Sequence, residues 1–345
     1  MDRFRRLRLE EEIKNHLKDS SNSNKNKKEK TVSTGSTLLD LAISGGVYAE
    51  GGIPLGILVE IFGPSGSGKT VILSEIAGNV KRLNGGVMFH DPEARLNKQF
   101  ARLFGLDIDE VAYYKPNTVT EVFKKIREWK TDNPIKGVFT DSLAALSTDL
   151  EMGEEEGDKM GMRRAKEFSE QLRKTCRILA ERGILMVCSN QIRQNLDSGP
   201  FGQKYVSPGR EAIGFYSSLR LRTFNPKKIK KILPGLNKKP VERVIGVEVE
   251  VEVYKNSIWK PFRTAPLTIL FDYGIDDIRT NLQYLKDSLK LPYYQLGNKK
   301  LSNSLDKAVK EIEDKGLERE LKNEVIKVWN DMERIFVQPR KPKFL

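Results

Sequence analysis

The chain has 345 residues, which is enough for one large domain or for two to three smaller ones with a buried core. With 31% charged residues and no apolar run of membrane-spanning length, the composition predicts a soluble protein that has no membrane partner. The net charge of +13 favours a polyanion such as nucleic acid as partner. Cys176 and Cys188 form no CxxC pair, which argues against a zinc ribbon and predicts reduced thiols in a cytoplasmic setting.

The first 30 residues divide into a predicted helix and a linker. Residues 4–19 place apolar side chains at helical spacing, whereas residues 20–30 are mainly Ser, Asn and Lys. A single helix on a flexible linker cannot bury its own apolar face. We therefore interpret residues 1–30 as an oligomerisation helix and linker, with the helix packed on the body of the protein or on a neighbouring molecule.

A phosphate-binding loop follows the next buried run. Its sequence is Gly63-Pro64-Ser65-Gly66-Ser67-Gly68-Lys69-Thr70, which fits the pattern of Gly, four residues, Gly, Lys and then Ser or Thr. Residues 56–62 predict a strand before the loop, and residues 71–77 predict a helix whose positive end faces the phosphates. Lys69 supplies a charge for the β and γ phosphates, and the Thr70 hydroxyl can ligate Mg²⁺. The motif predicts a nucleotide site.

From residue 31 to about residue 270, predicted strands and helices alternate. Strands are expected at 87–90, 137–140 and 184–189, and helices at 121–130 and 163–182. This order is typical of an α/β protein with a parallel sheet and helices on both faces. Val and Glu alternate over 247–253, which predicts an antiparallel strand with one buried face.

Residues from about 271 onward predict a smaller unit. Helices are expected near 301–314 and 317–336, followed by a basic tail. The predicted domains are therefore 1–30, a core with the phosphate loop at 31–270 and a C-terminal domain at 271–345. A single basic run such as 227–231 is typical of a solvated loop or tail.

Asp141 follows an apolar strand downstream of the phosphate loop. A carboxylate in this position can reach a magnesium ion beside Thr70. The alternative role is a helix N-cap for the segment that begins at Ser142, which is common for Asp. The upstream phosphate loop favours the metal role.

Nucleotide hydrolysis also needs a group that orients or deprotonates water near the γ-phosphate. Asp91 and Glu93 lie in one turn after a strand, where open α/β sheets bind their ligands, and the residues alone do not choose between them. Gln191 ends a later strand, where a neutral amide can sense the γ-phosphate. The segments 147–161 and 193–210 are glycine-rich and too long for ordinary connections, as binding loops are.

Over about residues 32–275 these motifs resemble those of the RecA-type recombinases of bacteria and bacteriophages. Besides the phosphate loop, the resemblance rests on Ser33-Thr34-Gly35-Ser36 with Leu38-Leu39-Asp40, Asp91-Pro92-Glu93-Ala94, Asp141-Ser142-Leu143-Ala144-Ala145-Leu146, Met160-Gly161, Asn190-Gln191-Ile192-Arg193 and Phe215-Tyr216. It implies a RecA-like P-loop NTPase core with a mostly parallel twisted sheet flanked by helices, a short N-terminal helix and a small C-terminal α/β domain.

The resemblance also implies a function. RecA-type recombinases are DNA-dependent ATPases that assemble with ATP and Mg²⁺ into helical filaments on single-stranded DNA. They then pair this strand with homologous double-stranded DNA and exchange strands. We accordingly expect ATP hydrolysis to ADP and phosphate, a homo-oligomer with ATP at subunit interfaces, and a nucleoid-associated cytoplasmic location, which is the host cytoplasm if a phage encodes the chain.

Several nucleotide-site roles follow from the family pattern. Glu93 falls at the general base, Gln191 at the switch between ATP and the second DNA loop, and Phe100 at the aromatic against the adenine. Lys255 falls at a lysine that reaches the nucleotide of a neighbouring subunit. Ser257 and Gly214 depart from the pattern, which has a second lysine and a basic residue at these two positions.

The family pattern also marks six DNA-binding positions. Met160 and Leu196 fall at apolar wedges between base triplets. The remaining four are phosphate contacts, at Arg163, Arg193, Lys204 and Arg210.

Two other functions fit the same core. One is a recombination accessory ATPase that loads or caps another recombinase without exchanging strands itself, which the departures at Ser257 and Gly214 leave open. The other is a hexameric DNA helicase, which would unwind DNA without homology. Strand exchange by the purified protein alone separates a recombinase from both.

Overall fold

A computed structural model describes residues 30–147, 160–191, 193–194, 205–206, 210–234, 239–337 and 340. The helix expected over residues 4–19 lies outside this range. In chain order, the described strands are β1 (Thr31–Val32), β2 (Ile53–Pro54), β3 (Leu58–Gly63), β4 (Gly86–His90), β5 (Ala112–Tyr114), β6 (Lys136–Thr140), β7 (Ile184–Gln191), β8 (Arg193–Gln194), β9 (Tyr205–Val206), β10 (Leu219–Pro234), β11 (Pro240–Asn256), β12 (Thr264–Leu270), β13 (Gly274–Ile275), β14 (Tyr294–Leu296) and β15 (Lys299–Ser302).

The central sheet has nine strands in the order β13-β12-β11-β10-β3-β7-β6-β4-β5. Neighbouring strands are parallel from β10 to β5 and antiparallel from β10 to β13. Every residue of β3 is buried, as in a strand covered on both faces, whereas β11 alternates buried Val with more exposed Glu. The predicted α/β architecture, with a mostly parallel part and an antiparallel part, is confirmed.

Helices cover both faces of this sheet. In chain order they are α1 (Thr37–Ser44), α2 (Lys69–Arg82), α3 (Lys98–Leu103), α4 (Val119–Glu128), α5 (Met160–Arg182), α6 (Arg210–Tyr216), α7 (Asp277–Ser288), α8 (Leu305–Lys315) and α9 (Glu318–Ile335). Apolar residues of α1 and α2 pack into one core cluster, and those of α4 and α5 into the other. Local sequence signals fix several starts: Ser36 caps α1, and Thr118 with Glu121 forms a capping box on α4.

The structure differs from the sequence-based expectations in four places. The helix after the phosphate loop begins at Lys69 rather than at residue 71, and α5 begins at Met160 rather than at residue 163. The basic run 227–231 is not a loop or tail: it lies in β10, where the lysines are exposed while the strand pairs with β11. Helix α7 was not predicted, although Ile278, Leu282 and Leu285 have helical spacing.

The C-terminal helices are joined to the rest of the fold by polar and apolar contacts. Asp277 of α7 accepts hydrogen bonds of 2.7 Å from both the backbone N–H and the hydroxyl of Thr37. On α9, Arg319 and Lys322 pair with Glu50 at 2.7 and 2.9 Å. The expected helices near 301–314 and 317–336 are present as α8 and α9. Among the described residues, no helix has both the length and the apolar character needed to cross a bilayer.

Candidate nucleotide-binding site

A cavity of about 710 Å³ opens at the carboxyl ends of the parallel strands. It brings together most of the predicted nucleotide and metal residues, because strands β3, β4, β6 and β7 all end at this edge. Its polar lining includes Ser65, Gly66, Ser67, Gly68, Lys69, Thr70, Asp91, Glu93, Asp141, Ser189 and Gln191. Gly63 and Pro64 begin the same loop.

The loop between β3 and α2 depends on its glycines. Gly66 and Gly68 have φ angles of 70° and 80°, in the region that other residues rarely adopt. A Cβ on Gly63 would overlap the hydroxyl of Thr223 on the neighbouring strand β10. The buried Ser67 hydroxyl lies 2.7 Å from the Pro64 carbonyl oxygen and 2.6 Å from the Thr223 hydroxyl, so the loop is anchored to the sheet.

Lys69 is the first residue of α2, a helix of 14 residues whose free N–H groups face the cavity. Its ammonium donates hydrogen bonds to the carbonyl oxygens of Gly63 at 3.1 Å and Pro64 at 2.7 Å. Burial lowers the pKa of this ammonium, while the carboxylates of Asp141 and Glu93 act to raise it. The lysine charge and the helix end together make this wall of the cavity suited to phosphate.

Asp141 lies just after β6, and its carboxylate accepts hydrogen bonds from the hydroxyls of Ser189 and Thr70. Burial raises the pKa of this carboxyl, and the nearby carboxylates of Glu93 and Asp91 raise it further. The N-cap position of the following short helix belongs to Ser142 rather than Asp141. An acidic carboxylate and a threonine hydroxyl beside a phosphate-binding loop are a donor set that fits Mg²⁺, because its hard charge prefers oxygen ligands.

The structure separates the two acidic residues that the sequence left open. Asp91 is buried, and its carboxylate accepts hydrogen bonds from the Tyr113 hydroxyl at 2.7 Å and from the backbone N–H groups of Arg95 and Leu96. Glu93 instead keeps 21% of its side chain exposed and accepts a 3.1 Å hydrogen bond from Ser142. Arg95 also pairs with it at 2.7 Å. Asp91 is therefore held within the turn, and Glu93 is the carboxylate that stays partly exposed in the cavity.

Phe100 of α3 lies in the apolar end of the cavity, where its ring meets Phe104 edge-on at 4.8 Å. Val247, Ile269 and Phe271 also line the cavity, and sequence reasoning missed all three. Val247 and Ile269 read as ordinary core residues of β11 and β12, so no local signal marks them. Phe271 directly follows the end of β12. Because open α/β sheets bind ligands just beyond the ends of their strands, a large apolar side chain here could have been predicted to line a site.

Gln191 lines the cavity and Lys255 does not. Gln191 ends β7, is exposed and lines the cavity. Lys255 does not line the cavity of its own chain: its ammonium donates hydrogen bonds to the carbonyl oxygens of Gly214 at 2.9 Å and Phe215 at 3.0 Å. Its assignment to the nucleotide of a neighbouring subunit stays a prediction.

Only some of the six predicted DNA-binding residues lie within the described part of the chain. Leu196 and Lys204 lie outside the described residues. Four others have a described backbone only: Met160 and Arg163 in α5, Arg193 in β8 and Arg210 at the start of α6. Strands β8 and β9 form a short antiparallel pair directly after Gln191, and α6 follows them in the chain.

Comparison with known proteins places the chain in a family. The family model described as RecA N-terminal domain matches residues 13–276. Protein RecA of Rippkaea orientalis (strain PCC 8801 / RF-1) is 31% identical over 288 residues, covering 82% of this chain and 78% of that protein. Protein RecA of Borrelia duttonii (strain Ly) is 30% identical over 307 residues, covering 86% and 80%. With the phosphate loop, Asp141 and Glu93 around one cavity, the chain belongs to the RecA family and is a RecA-type recombinase.

Proposed function

We propose that the protein is a DNA-dependent ATPase that uses ATP and Mg²⁺ to assemble on single-stranded DNA and to exchange it with a homologous duplex. The observation that carries the proposal is the convergence of Lys69, Thr70, Glu93 and Asp141 on one cavity at the start of α2. These four residues supply the charge, metal ligands and base that phosphoryl transfer needs. Family membership supports ATP as the nucleotide.

In this mechanism Glu93 accepts the proton of the attacking water. Its position in the cavity, with Ser142 fixing one carboxylate oxygen at 3.1 Å, supports this role over Asp91. Lys69 and the backbone N–H groups of residues 66–70 hold the β and γ phosphates. Thr70 and Asp141 would hold Mg²⁺, which offsets phosphate charge when bound. Phe100 and Phe271, two aromatic residues that line the cavity, are suited to contact the adenine.

The DNA side of the proposal follows the family pattern. Met160 and Leu196 separate base triplets, while Arg163, Arg193, Lys204 and Arg210 contact phosphates. Gln191 reports the γ-phosphate to the segment that begins at residue 192. The position of Gln191 at the rim of the cavity supports this role, because it is the last residue of β7 before that segment.

Assembly supplies the remaining part of the site. Lys255 reaches the nucleotide bound to a neighbouring subunit, so hydrolysis is fast only in the filament. We keep the division into 1–30, 31–270 and 271–345 as part of the proposal, with the first segment as an oligomerisation element. A cytoplasmic location is supported by the two thiols: Cys188 is buried, Cys176 is partly buried, and neither is in a disulfide.

The decisive experiment measures ATP hydrolysis with and without single-stranded DNA, together with negative-stain images and a strand-exchange assay of the purified protein. We expect DNA to stimulate hydrolysis and filaments to appear with ATP and Mg²⁺. Lys69→Ala should abolish hydrolysis, filament formation and strand exchange. A rate that DNA leaves unchanged, with no filaments, would overturn the proposal. Filaments and stimulated hydrolysis without strand exchange would instead identify an accessory ATPase.

A further inference from the structure

Glu60 is a fully buried carboxylate in the middle of β3, the strand that leads into the phosphate loop. Its two oxygens are used on opposite sides. One accepts a 3.0 Å hydrogen bond from the Asn190 side-chain amide on β7, and the other accepts a 2.6 Å hydrogen bond from Arg220 Nε on β10. A buried charge is costly unless it is paired and hydrogen-bonded, so this carboxylate fixes its partners on both neighbouring strands.

On the β7 side, the contact continues to the nucleotide cavity. The side-chain N–H of Asn190 donates to Glu60. This leaves the side-chain oxygen of Asn190 facing the main chain, where it accepts a 3.0 Å hydrogen bond from the Gln191 backbone N–H. Gln191 is the last residue of β7, and its side chain lines the cavity. Glu60 is therefore linked, through the Asn190 side chain, to the backbone of Gln191.

On the β10 side, Arg220 connects the same carboxylate to two further elements. Its guanidinium lies over the ring of Phe62, the residue before the phosphate loop, at 4.6 Å, and over the ring of Tyr254 at 5.4 Å. A Cβ on Gly214 of α6 would lie 3.1 Å from Arg220 Nη1. The residue that departs from the family pattern thus lets α6 approach the guanidinium closely.

Lys255 completes the arrangement. It is the cross-strand partner of Arg220, and its ammonium holds the carbonyl oxygens of Gly214 and Phe215 at the end of α6. Two cations lie side by side here: burial is the main cause that lowers the pKa of Lys255, and Arg220 lowers it further. The negative charge of Glu60 offsets this repulsion, so the placement of Lys255 on α6 depends on Glu60 as well.

We propose that Glu60 is a positioning residue that couples Gln191, through Asn190, to α6 and Lys255, through Arg220. The coupling rests on the proposed function, since it links nucleotide binding to the helix that follows the predicted DNA segment. A shift of the Gln191 backbone when nucleotide binds alters the Asn190–Glu60 bond, which alters the Arg220 contact with α6. Conversely, when Lys255 leaves α6 for a neighbouring subunit, Arg220 can move. This movement changes the position of Gln191 through Glu60 and Asn190.

The first test compares Glu60→Gln with the paired variant Glu60→Gln/Arg220→Gln. The single variant leaves Arg220 buried and uncompensated, so a lower melting temperature is expected. The paired variant removes both charges and should restore most of that stability. If Glu60 couples the two sides, stimulation of hydrolysis by DNA stays reduced about fivefold or more in the paired variant, while KM for ATP changes less than about twofold. Full recovery of stimulation together with stability would overturn the proposal.

A matched control breaks a different ion pair of strand β10. Arg222 of β10 and Glu252 of β11 pair at 2.6 Å without contacting Asn190 or Glu60. Glu252→Gln should therefore leave stimulation by DNA within about twofold of wild type. A loss as large as that of the paired variant would overturn the proposal, because any weakening of β10 would then have the same effect.

A second readout does not depend on DNA or on hydrolysis. Hydrogen exchange of the peptide covering 210–216 is measured in the full chain with and without a non-hydrolysable ATP analogue. We expect the analogue to change exchange of α6 in wild type and not in the paired variant, at analogue concentrations that saturate both. Equal changes in both proteins would overturn the coupling. If wild type shows the α6 response but no stimulation by DNA, the proposed function fails while the coupling stands.

Discussion

The Lys255 ammonium donates a 2.9 Å hydrogen bond to the main-chain carbonyl oxygen of Gly214, and a 3.0 Å hydrogen bond to that of Phe215. The lysine assigned to a neighbouring nucleotide is thus held on α6 of its own chain, in a partly buried place that lowers its pKa. In the proposed filament Lys255 would have to give up both bonds to reach another subunit. Assembly would therefore compete with an interaction inside the subunit.

Lys255→Met should separate nucleotide binding from stimulated hydrolysis. Because Lys255 does not line the cavity of its own chain, the dissociation constant of an ATP analogue for dilute subunits should change less than about twofold. Hydrolysis in the presence of single-stranded DNA should fall about 10²-fold, as expected when one transition-state cation is removed. Lys260→Met is the control, since that ammonium lies over the Trp259 ring at 5.5 Å. Weak nucleotide binding by dilute Lys255→Met would contradict the assignment.

Thr223→Val should loosen the phosphate loop. The substitution keeps the shape of the side chain but removes the hydroxyl that lies 2.6 Å from the buried Ser67 hydroxyl. We expect the free energy of unfolding to fall by about 1–2 kcal/mol, with weaker nucleotide binding. Urea denaturation and a nucleotide titration measure the two effects.

Ser74→Ala is the matched control for this substitution. Within the part of the chain that the structure describes, the buried Ser74 hydroxyl has no hydrogen-bond partner. Its removal should change the free energy of unfolding by less than about 0.5 kcal/mol or increase it. A larger loss in Ser74→Ala than in Thr223→Val would mean that the hydroxyl pair does not anchor the loop.

Asp141→Asn should stabilise the nucleotide-free protein at neutral pH while weakening magnesium-dependent nucleotide binding. Burial raises the pKa of Asp141, so the folded state binds the proton more tightly than the unfolded state. The free energy of unfolding of wild type therefore falls as the pH rises through the interval between the two pKa values. The advantage of the variant should accordingly be present at pH 7.5 and shrink at acidic pH, in urea titrations at several pH values. Asp331→Asn, which removes an exposed carboxylate of α9, is the control for the loss of one negative charge.

Arg319→Ala should loosen α9 without unfolding the core. The Arg319 and Lys322 pairs with Glu50 are partly exposed, so the cost should be below about 1 kcal/mol. Hydrogen bonding to Arg319 is the main cause that lowers the pKa of Glu50 to about 2, so this contribution is present above pH 4.5 and is lost as the pH falls toward 2. Hydrogen exchange should rise in α9 and stay unchanged in α2. Equal increases in both helices would show that the C-terminal helices do not open separately.

Much of the candidate site was predictable because its chemistry is local in sequence. The phosphate loop occupies eight consecutive positions, from 63 to 70, and Asp141 and Gln191 each end an apolar run that marks a strand. The residues alone left the choice between Asp91 and Glu93 open, and only the family resemblance favoured Glu93. The structure adds that Tyr113, on the adjacent strand, donates a hydrogen bond to Asp91.

The unpredicted features depend on partners that are distant in the chain. Glu60 and Arg220 are separated by 160 positions, and only the order of the sheet shows that they share a hydrogen bond. In the same way, Val247 lines the cavity although its strand, β11, lies beyond β10 in the sheet. Hydrophobic periodicity reports that a strand has a buried face and gives no information on which strand lies beside it.

The paired strands β10 and β11 run well past the rest of the sheet. Strand β3 pairs with β10 only as far as Arg222, and β12 pairs with β11 only from Glu252 back to Gly246, so the outer part of this ribbon has two open edges in the described residues. The Ile232 side chain in this outer part is 63% exposed. An exposed apolar residue beside an open strand edge favours unwanted pairing between copies of the protein. The lysines of the run 227–231 repel those of a second copy. We therefore expect part of the +13 charge to oppose aggregation. Neutralising these lysines should make the protein more prone to precipitate.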